Sequence, residues 1–216
     1  GTRHRTAERV AKQTGGIVIA ISQRRNVITV YQGDKKYVVE DISKIFTKAN
    51  QALQTLEKYK SVLDQAIISL NALEFKDLVT LYDVVLVVQK IEMVMRVTNI
   101  IDKYIIELGV EGTLLSMQVE ELMGTTKIDQ NQIIKDYQRN TMTIKEFKKK
   151  IKDLSSEELI DLTNIAKILG YSGFTEDMDT PVRPNGYRIL NKIHRLPNSI
   201  IENLVNYFED FQEILE

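Results

Sequence analysis

Residues 42–73 read ISKIFTKANQALQTLEKYKSVLDQAIISLNAL, and this stretch decides the fold class. Apolar residues recur in it at spacings of three and four, with one break at Lys60, which predicts a long amphipathic helix. From residue 43 to 73 this helix would be about 45 Å long at 1.5 Å per residue. A second helical pattern covers residues 76–108 and ends at Gly109. We therefore expect an antiparallel helical hairpin, a rigid spine, in a mainly α protein.

Shorter helical patterns follow the spine, at residues 113–123, 129–138 and 143–153. Ser155 is expected to cap the next helix, with Glu158 completing a capping box and Gly170 ending it. After Pro181, a short helix is expected at residues 186–193. A tight turn then leads to a final helix that is capped by Asn198 or Ser199. The C-terminal end thus reads as a helix-hairpin-helix.

The pattern upstream of the spine is different. A helix is expected from Thr2 to Thr14, with Gly15 and Gly16 as its stop. Residues 17–21 read as a buried strand, and residues 26–39 read as a hairpin around Gly33 and Asp34. These elements cannot make a sufficient core alone, so we expect a small β remnant, the C-terminal part of an α/β domain. The chain opens on Gly1 rather than methionine, and we expect an N-terminally truncated fragment.

These patterns predict three regions, with boundaries at 1–41, 42–180 and 181–216. The chain has 29 basic and 30 acidic side chains and a net charge of −1, which argues against a simple polycation that coats nucleic acid. The absence of cysteine excludes a disulfide scaffold and a thiol nucleophile. The two histidines, His4 and His194, are far apart, so a multi-histidine metal site is not expected. The longest apolar run, residues 84–88, is too short to span a bilayer, and no membrane partner is expected.

The first nine residues, GTRHRTAER, are the densest candidate site. Two arginines, a histidine and two threonines gather at a helix N-terminus, where free backbone N–H groups and the helix dipole attract anions. Arginine matches phosphate oxygens with two parallel hydrogen bonds. The pattern therefore indicates a phosphate ligand, such as that of a nucleotide, although an ordinary solvated basic turn has the same pattern.

The hairpin that ends the chain is the second candidate site. Residues 183–195 hold four cations and no acid: Arg183, Arg188, Lys192 and Arg195. A helix-hairpin-helix of this kind offers backbone N–H groups and cations to DNA phosphates. Arg195 and Pro197 stand where glycines usually flank the apolar residue, here Leu196, and Pro197 offers no N–H. A simple helical corner fits the same pattern, and the spacing alone leaves both interpretations open.

Two blocks of sequence carry a family resemblance. Residues 1–9 with the later IAISQRR resemble the second half of a diadenylate cyclase domain. Residues 169–184, LGYSGFTEDMDTPVRP, followed by GYRIL and RLP, resemble the end of the bacterial DNA integrity scanning proteins of that family. The resemblance implies condensation of two ATP into cyclic di-AMP with Mg²⁺ or Mn²⁺, and a homo-octamer in which cyclase domains meet. It also implies suppression by branched DNA bound at the tail, in a cytoplasmic, nucleoid-associated protein.

The resemblance also assigns roles to residues. The ATP phosphates would be contacted by Thr2, Arg3, His4, Arg5 and Thr6, of which Arg3, His4 and Arg5 would be catalytic. Ser22 would line the nucleotide pocket, and Arg25 is a weaker ATP-binding candidate. The DNA-binding set would be Arg183, Arg188, Lys192, Arg195, Asn198 and Ser199. Arginines at such a site stabilise the charge on a transferring phosphoryl group.

One departure from the family pattern limits this expectation. The Asp-Gly-Ala motif, whose aspartate would bind the metal, does not occur in the sequence. We therefore expect a cyclase as the full-length protein and an inactive 216-residue piece. The alternative is a non-enzymatic DNA-binding or scaffold protein, in which the N-terminal basic turn contacts nucleic acid instead of ATP.

Overall fold

The structure, a computed structural model, describes residues 2–23, 27–39, 41–171 and 177–215. It is mainly helical, as predicted, with one small sheet near the N-terminus. The helices are α1 (Thr2–Thr14), α2 (Ile42–Phe75), α3 (Leu81–Leu108), α4 (Thr113–Met123), α5 (Thr126–Tyr137), α6 (Ile144–Asp153), α7 (Ser156–Ile160), α8 (Leu162–Leu169), α9 (Tyr187–Leu190), α10 (Asn198–Tyr207) and α11 (Phe211–Leu215). A 3₁₀ turn, Gly109–Gly112, joins α3 to α4.

The chain forms two compact units. One contains residues 1–54 and 100–117, and the other contains residues 55–99 and 118–216. Each of the two long helices, α2 and α3, therefore contributes one part to each unit. Among the described helices, none is both long enough and apolar enough to cross a membrane. The rigidity of the spine stays a prediction.

The first unit is built around an antiparallel sheet in sequence order, made of β1 (Ile17–Ser22), β2 (Val27–Gln32) and β3 (Lys35–Val39). Helix α1 packs on β1 and β2. Ala11 of α1 is completely buried, and Thr29 and Tyr31 of β2 are almost completely buried. The predicted helix, strand and hairpin are thus confirmed, because the period-two pattern and the turn at Gly33 set the register.

The prediction that residues 17–21 are buried on both faces is wrong. Val18 and Ala20 are half-buried, whereas Ile17, Ile19 and Ile21 are 61–66% exposed. Alternate side chains of a strand point to opposite faces, and α1 covers one face of this sheet. A run of β-branched residues identifies a strand, but what covers each face depends on the rest of the fold.

The long helices agree with the sequence pattern at most of their ends. Helix α2 covers the predicted stretch, but α3 begins at Leu81 rather than near residue 76. The residues between them form a turn with Asp77 at a φ of 54°. Thr80 then pairs with Pro181, and the N–H of Leu81 donates to the carbonyl of Thr180 at 2.9 Å. This pairing starts α3 later than the sequence pattern suggests.

The short helices show the predicted capping box at Ser155 and a second one that was not predicted. Ser155 accepts from the N–H of Glu158 at 3.1 Å, and the Glu158 carboxylate accepts from the N–H of Ser155 at 2.7 Å. Thr143 and Glu146 form the same arrangement at the start of α6. The single helix predicted from Ser155 to Gly170 is wrong, because Asp161 breaks it and caps α8.

The C-terminal end also departs from its prediction. The final helix is two helices, α10 and α11, and Pro197 rather than Asn198 or Ser199 stands at the N-cap of α10. The break turns Phe211 inward, where its ring lies 5.8 Å from that of Phe75 in an edge-to-face contact. Gly186 has a φ of 111°, and a Cβ there would approach the Phe211 ring at 3.3 Å, so glycine suits this position.

The predicted division into three domains stays a prediction. In the structure, α9, α10 and α11 lie in the same compact unit as residues 55–99. The N–H of Val182 donates to the carbonyl of Val79 at 2.9 Å, beside the start of α3. A backbone hydrogen bond therefore joins a residue just after the predicted boundary at residue 180 to the predicted helical region.

Candidate functional site

The first turns of α1 carry uncompensated positive charge. Arg3 and Arg5 are exposed, and neither side chain has a hydrogen bond or ion pair with a described residue. No acid lies in the first turn. The acid of this helix, Glu8, pairs with Lys12 at 3.2 Å, so it does not neutralise the arginines. Cations at a helix N-terminus oppose the dipole, so this arrangement is better suited to an anionic ligand than to stability.

Local hydrogen bonds set the position of the basic turn. The hydroxyl of Thr6 donates to the carbonyl of Thr2 at 3.0 Å, inside the helix. The helix ends at Gly15, whose φ is 67° and whose N–H donates to the carbonyl of Ala11 at 3.0 Å. Lys12 also reaches Asp34 in the β2–β3 turn at 3.5 Å. These contacts hold α1 against the sheet.

The structure places the other predicted ATP-binding residues unequally. His4 is half-buried, and its Nδ1 is buried with no hydrogen-bond partner among the described residues. Ser22 is the half-buried last residue of β1, and it pairs with Val27. It lies on the same face as Val18 and Ala20 by strand alternation. Arg25 lies outside the described residues. The roles of all these residues in ATP binding stay predictions.

The described residues do not fit a divalent metal ion. None of them forms a cluster of three or more His, Asp or Glu side chains that could hold one. The side chains at the start of α1 are arginines and a histidine, whereas Mg²⁺ and Mn²⁺ prefer carboxylate oxygens.

The predicted DNA contact of Arg188 is wrong. Its side chain is fully buried and forms hydrogen bonds with Asn71 and Glu74 of α2. A buried guanidinium that already has a carboxylate partner is not available to a DNA phosphate. Arg183 is also engaged, with Asp77 and with Asp210 at 3.0 Å, and these carboxylates raise its pKa. It remains half-exposed, but its charge is compensated.

The remaining hairpin residues are at the surface. Lys192, Arg195, Asn198 and Ser199 are all exposed. Arg195 has a φ of 65°, a left-handed conformation that is uncommon outside glycine. The Lys192 ammonium contacts the Asn71 side chain at 3.3 Å, and burial of its stem lowers its pKa. The tight turn is thus confirmed as an exposed feature, while its DNA contacts stay predictions.

A buried network of polar side chains packs beneath the hairpin, and no sequence pattern predicted it. The Tyr137 hydroxyl donates to Glu74 at 2.6 Å, next to the Arg188 pair. The Asp136 carboxylate accepts from the backbone N–H groups of Gly186, Tyr187 and Arg188 at 2.6–2.9 Å. These residues are 50 or more positions apart in the chain, so no local motif connects them.

The protonation of Asp136 reflects its burial. Removal from water raises its pKa to about 7, and the nearby charge of Glu74 adds to this shift. The backbone N–H donors and Arg188 act in the opposite direction but do not cancel the effect of burial. Asp136 therefore titrates near neutral pH while it caps the start of α9.

Fold and site together describe a mainly helical protein. A helix packs on a small sheet near its first residues, and an exposed turn lies between α9 and α10. Comparisons with known proteins agree with this class. The family model described as the DisA bacterial checkpoint controller linker region matches residues 39–178. The model described as DisA bacterial checkpoint controller nucleotide-binding matches residues 1–36. The chain belongs to the DisA bacterial checkpoint controller family, and the resemblance inferred from the sequence is confirmed.

Curated relatives carry the name DNA integrity scanning protein DisA. The chain is 76% identical to that of Clostridioides difficile (strain 630) over all 216 residues, which make up 61% of that protein's length. It is 55% identical to that of Clostridium botulinum (strain Kyoto / Type A2), again over its whole length and 61% of the relative's. The chain thus spans about three fifths of the length of these relatives.

Proposed function

We propose that the whole protein is a diadenylate cyclase that condenses two ATP molecules into cyclic di-AMP. The observation that carries the proposal is the pair of exposed arginines at the start of α1, Arg3 and Arg5, which have no partner among the residues that the structure describes. The match of residues 1–36 to a nucleotide-binding family model supports the same ligand class. It also favours the enzyme over a scaffold that contacts only nucleic acid.

The chemistry fits these side chains. In this reaction each 3′-oxygen forms a bond to the α-phosphorus of the other nucleotide, the bond to the β-phosphate breaks, and pyrophosphate leaves. Negative charge shifts onto the phosphate oxygens during transfer, and the guanidinium groups of Arg3 and Arg5 would stabilise it. Thr2, Thr6, His4 and Ser22 would position the phosphates and the nucleotide by hydrogen bonds.

We assign the ligands of the metal ion to groups other than the described residues. Mg²⁺ or Mn²⁺ would neutralise phosphate charge, but the aspartate that the family resemblance assigns to it has no counterpart in this sequence. We therefore extend the proposal: the 216-residue chain binds ATP weakly and does not form cyclic di-AMP alone. A homo-octamer of the whole protein is part of the same proposal.

The C-terminal turn supplies the second half of the proposal. Lys192, Arg195, Asn198 and Ser199 are exposed and would bind phosphates of branched DNA, which suppresses the cyclase. The name of the curated relatives, DNA integrity scanning protein, supports this partner. An association with the nucleoid would follow from such binding.

ATP titration of the chain tests the phosphate site. The double variant R3A/R5A should raise the Kd for ATP by at least about tenfold, because each lost charge-assisted hydrogen bond weakens phosphate binding. The matched control is K44A/K103A, which removes two exposed charges from the same compact unit. Isothermal titration calorimetry measures both, and incubation with ATP and Mn²⁺ checks for cyclic di-AMP.

Two results would contradict the proposal. Equal ATP affinity in R3A/R5A and in the control would remove the start of α1 from the nucleotide site. Formation of cyclic di-AMP by the 216-residue chain would refute its inactivity and place the metal ligands within this sequence.

A further inference from the structure

Helix α6 presents a lysine-rich side. At 3.6 residues per turn, four of its lysines fall within an arc of roughly 100°, next to the buried stripe of Phe147 and Ile151. The acids of this helix, Glu146 and Asp153, project outside that arc. The four are Lys145, Lys148, Lys149 and Lys152.

A fifth lysine adds to this surface. Lys127, in the first turn of α5, is close enough for its charge to act on Lys148. Partial burial, and then this like charge, lower the pKa of Lys148. None of the five lysines forms an ion pair with a residue that the structure describes. Like charges gathered without acids destabilise a fold, so they favour an external anion as the partner.

The lysine surface adjoins the exposed C-terminal turn. A cleft of about 270 Å³ in the second unit is lined by Ile128 of α5, Ile144 of α6, and Asn191 and Asn198 on either side of the turn. Ile128 and Ile144 directly follow and precede Lys127 and Lys145 in the chain. Residues of the turn thus line the cleft, and Lys127 and Lys145 are next in sequence to two residues that line it, although none of the five lysines lines it.

The cleft itself is lined by amides. Asn131 and Gln132 join Asn191 and Asn198, and the buried Oδ1 of Asn131 has no hydrogen-bond partner within the described part of the chain. Amide side chains are common partners of phosphate and sugar oxygens in nucleic-acid interfaces. These amide side chains offer hydrogen-bond donors and acceptors to a ligand in the cleft.

The neighbouring acids are already engaged. Glu202 accepts from the Lys135 ammonium at 3.0 Å and from the Tyr187 hydroxyl at 2.9 Å. Asp129 accepts from the Thr125 hydroxyl at 2.7 Å. The five lysines form no direct ion pair with a described residue, although the charge of Lys152 acts on Glu92 and Asp129 keeps its own negative charge.

We propose that the DNA-binding surface is not confined to the C-terminal turn but continues across the amide-lined cleft onto Lys127, Lys145, Lys148, Lys149 and Lys152. This inference rests on the proposed DNA binding and extends it into the linker. The lysines would bind the phosphate backbone, which adds affinity without reading sequence. Nucleic-acid interfaces are strongly basic, whereas the cores of protein interfaces are depleted in charge, so DNA fits this surface better than a protein partner.

Salt-dependent DNA binding by the 216-residue chain tests the proposal. The variant K127Q/K145Q/K149Q removes three exposed charges and keeps similar side-chain length. The matched control K58Q/K103Q/K150Q removes three other exposed charges, one of them from the opposite side of α6. Fluorescence anisotropy follows a labelled four-way junction between about 50 and 200 mM salt, where counterion release dominates.

The lysine variant should bind at least about tenfold more weakly, and its log–log salt slope should fall by about 2.7, at 0.9 per lost phosphate contact. The control should keep the slope of the unmodified chain. A variant such as K192Q/R195Q should lose affinity in the same assay if the turn binds the same DNA.

Three outcomes would overturn the inference. A lysine variant with the control's slope, beside a weakened turn variant, would contradict the extended surface and leave the proposed function standing. An unmodified chain that does not bind the junction would contradict both. Unchanged DNA binding with lost binding to phosphatidylglycerol vesicles, tested in parallel, would assign the lysines to an anionic membrane surface instead. Far-UV circular dichroism confirms that all variants are folded.

Discussion

The start of α1 and residues 183–195 look alike in sequence and differ in structure. Both are short, basic segments that favour a phosphate ligand. In α1, Arg3 and Arg5 stay exposed and unpaired among the described residues. In the C-terminal segment, Arg188 is fully buried against Glu74, and Arg183 is held by two aspartates. Two of the second segment's four cations are therefore already paired with carboxylates, and one of these two is buried.

The difference shows that cation density does not by itself identify a binding surface. A cation is available to a ligand only when no carboxylate from another element lies next to it. Helix α1 has one acid, Glu8, and Lys12 already occupies it. The C-terminal segment packs beside α2, which brings Glu74 to Arg188 across 114 positions of sequence. Once a guanidinium is buried, its pairing becomes a requirement of stability.

The largest effect should come from breaking the buried pair. Replacing Arg188 with alanine leaves the Glu74 carboxylate buried without its cation, and should lower the free energy of unfolding by about 3–5 kcal/mol. Urea denaturation followed by circular dichroism measures this loss. The double variant E74L/R188M should recover part of it, because Glu74 is then no longer buried without its cation, and the recovery stays incomplete because the Tyr137 hydroxyl loses its acceptor.

The exposed pair is the matched control for this experiment. Arg183→Ala removes a half-exposed arginine from the same segment, and solvent screens its ion pairs. Its urea midpoint should stay near that of the unmodified chain. Equal midpoints for R183A and R188A would mean that the two arginines are equivalent, contrary to the comparison.

The second-largest effect should be a dependence of stability on pH. It arises from Asp136, whose carboxylate accepts hydrogen bonds from backbone N–H groups at the start of α9. The folded-state pKa of Asp136 is about 7, above the value of about 3.9 that is usual for an unfolded chain. The folded state therefore binds this proton more tightly, so stability should fall as pH rises from about 4 to about 7, by on the order of 2–4 kcal/mol.

Asp136→Asn isolates this contribution. The variant keeps one acceptor oxygen for the N–H groups of Gly186 and Tyr187, loses the acceptor for the N–H of Arg188, and does not titrate. Unfolding free energies of both proteins between pH 4 and pH 8 (about the range spanned by the two pKa values) give two profiles. Their difference should slope across this range, and parallel profiles would contradict a raised pKa for Asp136.

The smallest effect separates the exposed cations of the C-terminal segment from the compensated ones. K192Q/R195Q should lower the salt slope of DNA binding by about 1.8, at about 0.9 per phosphate contact. R183Q should leave the slope unchanged, because its charge already faces Asp77 and Asp210. A larger change in R183Q than in K192Q/R195Q would reverse this assignment of the two kinds of cation.

Local sequence signals predicted much of the fold. The three-four spacing predicted α2, the predicted capping box at Ser155 is present, and the turn at Gly33 set the hairpin. These features depend on neighbours within four residues, which the sequence shows directly. The late start of α3 could not be predicted, since it depends on pairing between Thr80 and Pro181.

The features of the candidate sites also fall into two groups, those that the sequence showed and those that only the structure showed. The basic start of α1 and the tight turn at Arg195 were visible as local patterns, and family membership followed from motifs that the sequence contains. The roles of Glu74 and Asp136 were not visible, because their partners are distant in the chain. The side of α6 that carries unpaired lysines likewise had meaning only once its neighbours were in place.

The sequence by itself determined the mainly α class, most helix boundaries, the β hairpin and the family, because periodicity, caps and motifs act over short distances. Only the tertiary structure decided which cations are buried, which face of β1 is covered, and which carboxylates titrate near neutral pH. Burial and charge compensation are properties of elements packed together, and residues such as Arg188 and Glu74 acquire them only when the chain folds.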